Sequence, residues 1–492
     1  MAGAAAFALV AFATQPPGPG LDPDAASYVG AAISFARTGA YRIPTSGWAA
    51  LDTTETLAHF PPGFPTAIAA PIALGVPPIQ SGRLVVAISA FITATVVGLT
   101  LDTAALGLLA VAAMFLTPAI IDEHLNVLSE PLFIAILVSV WALLPRTDLF
   151  SRLALGLLGA AAIMVRYVGA GVVGATALWV IAQPREAGQP ASWRTRFRDL
   201  ILATLPAAVL FKLWTSRHAE IRRIAEYGHF YATLRAGGST LGDWLAPGVT
   251  APALRWVVAI VIAVLAAQAI ARAWRTRPRI VGAALLIVCL VGVTVVSRLF
   301  ADPNIPFDER ILAPVFVLAE VATVIALPWA PRITKVLLGA WLIASAVISA
   351  GDIRAALDDG NDFAGSDWRD SPTVAWVRDS APGRTLYTNW PVVLYFQAGR
   401  SSHGLPPVLE PLMLHRFGDR LARTQGLVVG FNVKSPDAAP PDSIAERLRL
   451  RQVARLSDGT IWALDSAASR GAGRPRAAAG SPETGSAGRD KS

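Results

Sequence analysis

Asp22 and Asp24 stand just after the first apolar stretch of the chain, separated by Pro23. Tyr28 lies one helical turn beyond Asp24, in the run Asp24-Ala-Ala-Ser-Tyr28-Val-Gly-Ala-Ala, so carboxylate and phenol share a helix face. A carboxylate held at a membrane surface can take the proton of an incoming hydroxyl, which is the task of a general base. Asp is also a strong helix N-cap, so Asp24 either acts as that base or caps the helix. Asp22 reads as its partner acid or as a loop residue held by Pro23.

A second acidic group follows at Asp122, Glu123 and His124, with Asn126 and Glu130 close behind. The first three read as a solvated turn between two spans. Glu130 falls at the start of the apolar stretch 127–144, where a lone carboxylate is costly and implies a partner or a functional cavity. Asp22, Asp24, Glu123 and His124 are the candidate ligands for a divalent metal, and such oxygen-rich sets suit Mg²⁺ or Mn²⁺. On the positive side, Arg166 interrupts an apolar stretch between Val165 and Tyr167. Facing lipid it must snorkel; facing the interior it wants an anion, and a guanidinium matches phosphate in a bidentate manner. Arg310, at the entry to Ile311-Leu-Ala-Pro314, is a second phosphate candidate. His59, before Pro61-Pro62, is either an interface residue or one aimed at a cavity at membrane level.

The elements that must position these residues are mostly hydrophobic. Of 492 residues, 54% are apolar and 15% charged, with mean hydropathy +0.50, whereas soluble domains carry roughly 25% charged residues. Apolar stretches run at about 1–14, 82–100, 104–121, 127–144, 153–165, 167–182, 199–216, 252–270, 280–298, 311–328 and 333–350. A crossing needs about 20 residues, so the chain reads as an all-α polytopic bundle of about eleven spans. The first stretch is short for a crossing, as expected if the natural start lies upstream. Arg166 splits 153–165 from 167–182, which form either a hairpin of shallow helices or one long tilted helix.

The formal charge of +8 orients the chain in the membrane, so a nucleic-acid partner is not expected. Basic loops at 145–152, 185–198, 272–279 and 332–335 belong inside, with the N-terminus cytoplasmic. The loops 15–81, 122–124, 217–251 and 299–310 then fall outside. The loop 217–251 is nevertheless basic, with Arg217, Arg222, Arg223 and Arg235, and invites an anionic ligand. Cys289 is the single cysteine, which leaves neither disulfides nor a Cys-based metal site. Residues 1–350 thus form a membrane domain. Residues 351–466 read as a small extracytoplasmic α/β domain, with strands near 385–388, 426–431 and 460–464 and helices near 371–379 and 443–450. The Ala-, Gly-, Ser-, Pro- and Arg-rich tail 467–492 is expected to be disordered.

In order, Asp24-Ala-Ala-Ser-Tyr28, Phe60-Pro-Pro-Gly-Phe-Pro65, Ser129-Glu130-Pro131, Val165-Arg166-Tyr167-Val-Gly169 and Arg310-Ile-Leu-Ala-Pro314 resemble the motifs of the GT-C integral-membrane glycosyltransferases. The similarity is to their bacterial branch of protein mannosyltransferases and aminoarabinose transferases. The resemblance implies an inverting transferase in the plasma membrane that moves a sugar from a polyprenyl-phosphate donor to an envelope glycan, lipid or protein acceptor. It places Asp24, with Asp22 as the rival, as catalytic base. It places Tyr28, His59, Glu123, Glu130, Arg166, Tyr167 and Arg310 in substrate binding, with Arg166 or Arg310 on the leaving phosphate. The family's first loop often carries adjacent acids, whereas Pro23 separates them here. A non-catalytic membrane protein that assists glycan or lipid assembly is the alternative.

Overall fold

Proline starts many of the helices. It occupies the first or second helical position in Pro23–Thr38, Pro78–Thr100, Pro118–Leu125, Glu130–Leu143, Pro252–Ala273 and Pro278–Phe300. There its missing N–H costs nothing and its fixed φ suits the helix. The structure is a computed structural model that describes residues 1–182, 192–217 and 229–465; Arg185, Arg222, Arg223 and the tail 467–492 lie outside them.

Every apolar stretch of the sequence is helical. Among the described residues six helices are long and apolar enough to cross a membrane: Pro78–Thr100, Trp193–Arg217, Pro252–Ala273, Pro278–Phe300, the segment from Glu309 to Trp329, and Arg332–Asp359. The pair Ala104–Leu116 and Pro118–Leu125 would make a seventh, bent by 70° at its break. The chain is a multi-pass membrane protein. Ala2–Ala13, Glu130–Leu143, Leu149–Val165 and Gly169–Ala182 are shorter apolar helices, so length and composition support six or seven spans rather than eleven.

Two local readings change, and of the two alternatives at Arg166 the structure has the helix pair. Asp122, Glu123 and His124 do not form a solvated turn: they sit on the short helix Pro118–Leu125, with Glu123 and His124 buried. Thr117 and Pro118 end the preceding helix, because the residue before proline avoids helical geometry. The segment split by Arg166 is two helices that pack on each other, Leu149–Val165 and Gly169–Ala182. Within 217–251, residues Phe230–Leu245 are a helix rather than loop.

The chain forms two compact units. The first comprises Met1–Thr45, Asp52–Asp370 and Val392–Arg400. In it the residues ahead of Asp22 are held by backbone bonds on both sides. Gly20 bridges Asn126 and Leu21 bridges Asp362. Gly20 N–H donates to Leu125 O (2.9 Å), Val127 N–H to Gly20 O (3.0 Å) and Phe363 N–H to Leu21 O (3.1 Å). A side chain at Gly20 would collide with the Asn126 amide. The helix Gly63–Ala73 begins at the Pro-Pro-Gly turn, and Gly63 lies against the backbone of Met164 and Val165.

The second unit comprises Ser46–Leu51, Ser371–Pro391 and Ser401–Ser492, so its boundaries differ from a simple division at residue 351. Its six-stranded sheet runs in the order Thr45–Ser46, Ser402–Gly404, Leu386–Thr388, Leu427–Phe431, Gly459–Ala463, Arg451–Arg455. Leu386–Thr388 is parallel to both its neighbours, while Gly459–Ala463 is antiparallel to both of its own. Leu427–Phe431 is buried at every residue, as a central strand covered on both faces must be. Tyr387, Phe417, Leu421, Val428 and Ile444 form its core, and Ser46 Oγ meets His403 Nδ1 at 2.7 Å.

Because Gly63 touches backbone that cannot swing aside, Gly63→Ala should cost about 1–3 kcal/mol, the usual penalty of overpacking. Thermal unfolding in detergent would show a lowered midpoint; an unchanged midpoint would contradict the close approach.

Candidate active site

Three helix starts and one helix end converge in the first unit. Asp22 is the N-cap of Pro23–Thr38: its Oδ1 accepts from the N–H groups of Asp24 (2.7 Å) and Ala25 (3.0 Å). The cap is therefore Asp22 and not Asp24. Glu130 opens Glu130–Leu143 directly after Ser129. Arg310 lies in the first turn of Glu309–Ala326, a helix capped by Asp308 Oδ1 on Ile311 N–H (3.1 Å). Arg166 ends Leu149–Val165 in extended backbone, which turns its side chain away from the helix axis.

Arg310 binds all three carboxylates at once. Its Nη1 donates to Asp22 Oδ2 (2.7 Å), its Nε to Glu130 Oε1 (2.9 Å), and its Nη2 to Asp24 Oδ2. Arg166 Nη1 pairs with the same Glu130 oxygen and donates to Ser129 Oγ at 2.9 Å. Ser129 Oγ donates in turn to Glu130 Oε2 (3.2 Å). A serine has one proton to give, so the 3.2 Å contact between Tyr28 and Ser129 has the phenol as donor. Burial, then the nearby carboxylate of Asp24, pushes the Tyr28 hydroxyl above its ordinary pKa, which keeps that proton in place. The Tyr28 ring packs on Phe60 (4.9 Å) and Phe64 (5.1 Å), so the Pro-Pro-Gly-Phe segment is its floor.

The two acids of the first loop differ. Asp22 has both oxygens occupied and its side chain is 13% exposed. Its pKa is pushed up to about 7, by burial first and by Asp24 second, against the pull of Arg310. Asp24 is more open, its side chain 24% exposed, and meets Arg310 through Oδ2. Glu123 is fully buried within electrostatic range of Glu130, Arg310 and Arg166.

Not every expected residue joins. His59 is exposed and lies edge-on to Phe60 at 4.7 Å, one ring removed from Tyr28. Tyr167 turns toward the neighbouring helix, where its hydroxyl accepts from Trp214 Nε1 (3.1 Å). His124 Nδ1–H donates to Ile120 O at 2.9 Å, within its own helix. Asp22 and Asp24 close on the Arg310 guanidinium, which takes the place a cation would need between them. Among the described residues no group of three His, Cys, Asp or Glu side chains is placed to hold a metal ion. The sequence reading passed over Ser129 as a site residue; its signal was a hydroxyl directly before an intramembrane acid.

This arrangement of helices has known counterparts. Over 94% of the chain the structure superposes on ArnT from Cupriavidus metallidurans bound to undecaprenyl phosphate, at TM-score 0.62 and 15% identity, covering 97% of that protein. The fold is that of the GT-C membrane glycosyltransferases. The apo form of the same ArnT gives TM-score 0.60 at 14% identity, with 94% and 97% of the two chains covered. The mycobacterial arabinofuranosyltransferase AftD, in its R1389S mutant, gives 0.54 at 15% identity, with 94% of this chain matched to 41% of that one. No protein-family model matches the sequence, and no curated protein sequence does either.

Two outcomes follow from the carboxylate–guanidinium cluster. Removing one partner of a buried ion pair costs about 3–5 kcal/mol; Arg310→Ala leaves Asp22 and Asp24 without their cation, so it should lower the unfolding midpoint more than Arg166→Ala, after which Glu130 still pairs with Arg310. For Asp22 the folded-state pKa lies above the unfolded value, so the folded protein binds the extra proton and stability falls as pH rises from about 4 to about 7. Asp22→Asn keeps the cap, since Asn caps well, and loses the titration. Melting curves across that range should show the wild type declining relative to Asp22→Asn and then levelling above pH 7; parallel curves would refute the assignment.

Proposed function

We propose that this protein is an integral-membrane glycosyltransferase. It moves a sugar from a polyprenyl-phosphate donor to a cell-envelope acceptor at the extracytoplasmic face of the plasma membrane, with inversion at the anomeric carbon. The observation that carries the reading is the meeting of Asp24, Asp22, Glu130, Arg166 and Arg310 in one cluster, within a fold whose counterpart was solved with undecaprenyl phosphate.

Asp24 serves as the base. Asp22 is occupied in capping and in holding Arg310, whereas Asp24 is the open carboxylate. The acceptor hydroxyl oxygen attacks the anomeric carbon and its proton passes to Asp24. The bond from that carbon to the phosphate oxygen breaks, and the electron pair leaves with the phosphate. Arg166 is the better phosphate ligand. Among the described residues its Nε and Nη2 carry no hydrogen bond, so one edge of its fork is open to an anion. Arg310 holds the acids in register and shares the developing negative charge. Fixed charges in a water-poor site supply large transition-state stabilisation. Tyr28 and Ser129 hold Glu130 and Arg166 in position.

The test is transfer of labelled sugar from a polyprenyl-phosphate sugar to envelope acceptors in membranes carrying each variant. Asp24→Asn should lower the rate about 10²–10⁴-fold, the worth of a general base, while Asp22→Asn retains most of it. Full activity in both variants would show that neither acid is the base.

A further inference from the structure

A cavity of about 430 Å³ lies among five helices of the membrane unit, and nothing in the proposed reaction uses it. Its walls are apolar, with Leu109, Ile262, Val324 and Leu342 among them. Two of the helices that form it, Pro252–Ala273 and Arg332–Asp359, leave most of their spanning stretch unburied, so the cavity has lipid as its neighbour. Along a third, its lining runs from Glu320 to Pro328, about 12 Å at the helical rise. One hydrocarbon leaflet is roughly 15 Å deep. Glu320, at the inner end, is engaged elsewhere: its Oε1 accepts from Thr117 Oγ1 (2.9 Å) and Trp244 Nε1 (3.1 Å), and its Oε2 is buried.

The other end is basic. Lys335 lines the cavity and is exposed. Its Nζ donates to Pro328 O at 3.4 Å, and an ammonium has two further protons to give. Arg332 is exposed three residues earlier on the same helix, a spacing that puts the two cations on one face. Neither joins an ion pair among the described residues. The guanidinium of Arg277 lies 4.7 Å over the ring of Trp329, the residue after Pro328. Arg277 and Arg279 both pair with Asp102, four residues before Leu106 of the cavity wall. Four cations thus meet one carboxylate among the described ion pairs of this end. They belong to the basic segments that the positive-inside rule assigns to the cytoplasm.

We infer that this cavity holds one acyl chain of an anionic phospholipid whose phosphate rests on Lys335 and Arg332. Basic pockets between spanning helices recognise acidic headgroups in this way. The apolar wall selects a chain and the cations select negative charge, and an anionic phospholipid brings both from the adjoining leaflet. Phosphatidylcholine carries an ammonium group that offsets its phosphate, and a free phosphate has no chain to bury. Gly339 offers a means of closing the space: it lines the cavity, and a Cβ built there meets nothing within 4 Å.

The experiment titrates the full-length protein in detergent micelles with dioleoyl phosphatidylglycerol and with dioleoyl phosphatidylcholine, counting bound lipids by native mass spectrometry. The first phosphatidylglycerol should bind about tenfold tighter than the first phosphatidylcholine, in the range that two cations near a membrane surface supply. Lys335→Gln combined with Arg332→Gln should erase that preference, and Arg194→Gln, an exposed cation on another helix, should leave it intact. Gly339→Phe should weaken the first binding event for both lipids. The Lys335 and Arg332 changes remove no ion pair and Gly339→Phe removes no charge, so the two arms fail independently of each other. Glycerol 3-phosphate, a headgroup without chains, should not displace the lipid. Equal affinity for the two lipids, a preference that survives the double variant or falls equally with Arg194→Gln, binding unaffected by Gly339→Phe, or displacement by glycerol 3-phosphate would each overturn the assignment. None of these readouts depends on sugar transfer.

Discussion

One guanidinium organises the membrane unit. Arg310 meets carboxylates contributed by the first loop and by the helix beginning at Glu130, across sequence separations of 286, 288 and 180 residues. The three N–H directions of its fork are fixed by the planarity of the group, so Asp22, Asp24 and Glu130 must arrive at set angles. Segments that are distant in sequence thus share one electrostatic reference point. The cost of burying these charges is met by mutual pairing together with hydrogen bonds from backbone, Ser129 and Arg166, the condition under which buried ion pairs are tolerable.

The two acids of the first loop illustrate how adjacent positions acquire separate duties. Pro23 at the first helical position forces the preceding residue to be the cap, which assigns Asp22 to the backbone N–H groups. Asp24 then lies in the first turn, where its carboxylate is favoured by the helix dipole and free of capping. A direct Asp-Asp or Asp-Glu pair would divide the work differently. At 15% identity to its solved counterparts, the chain shares an arrangement of helices with them, and an argument about chemistry has to rest on the site itself.

Much of this was legible in the sequence for a physical reason: lipid punishes stray charge. Glu130 and Arg166 stand out because an apolar stretch has no ordinary use for them, and the structure joins them to each other. The helices were legible from apolar length. Partner choice was not, since nothing local tells Arg310 that Asp22 and Asp24 lie 288 and 286 residues away. Nor was the burial of Glu123 and His124, which depends on the bend at Thr117 and Pro118. Phe230–Leu245 lies in a stretch between two apolar segments, which marks a loop in the sequence, and it is helical and packs against the following helix. For His59 the sequence left an interface position and one aimed at a cavity both open, and the ring is exposed.

The composition of the sheet unit has a consequence for the order of assembly. Ser46–Leu51 belong to it, although every other residue of the unit lies beyond position 370. The bond between Ser46 and His403 spans 357 residues. Contacts of such long range close late, because the loop entropy must be overcome before they give any return. Ser46–Leu51, emerging early from the ribosome, have no strand or core to join until synthesis is nearly complete. Helix insertion therefore precedes the maturation of this sheet, and a chain released prematurely would carry an unmatched edge segment within its first loop.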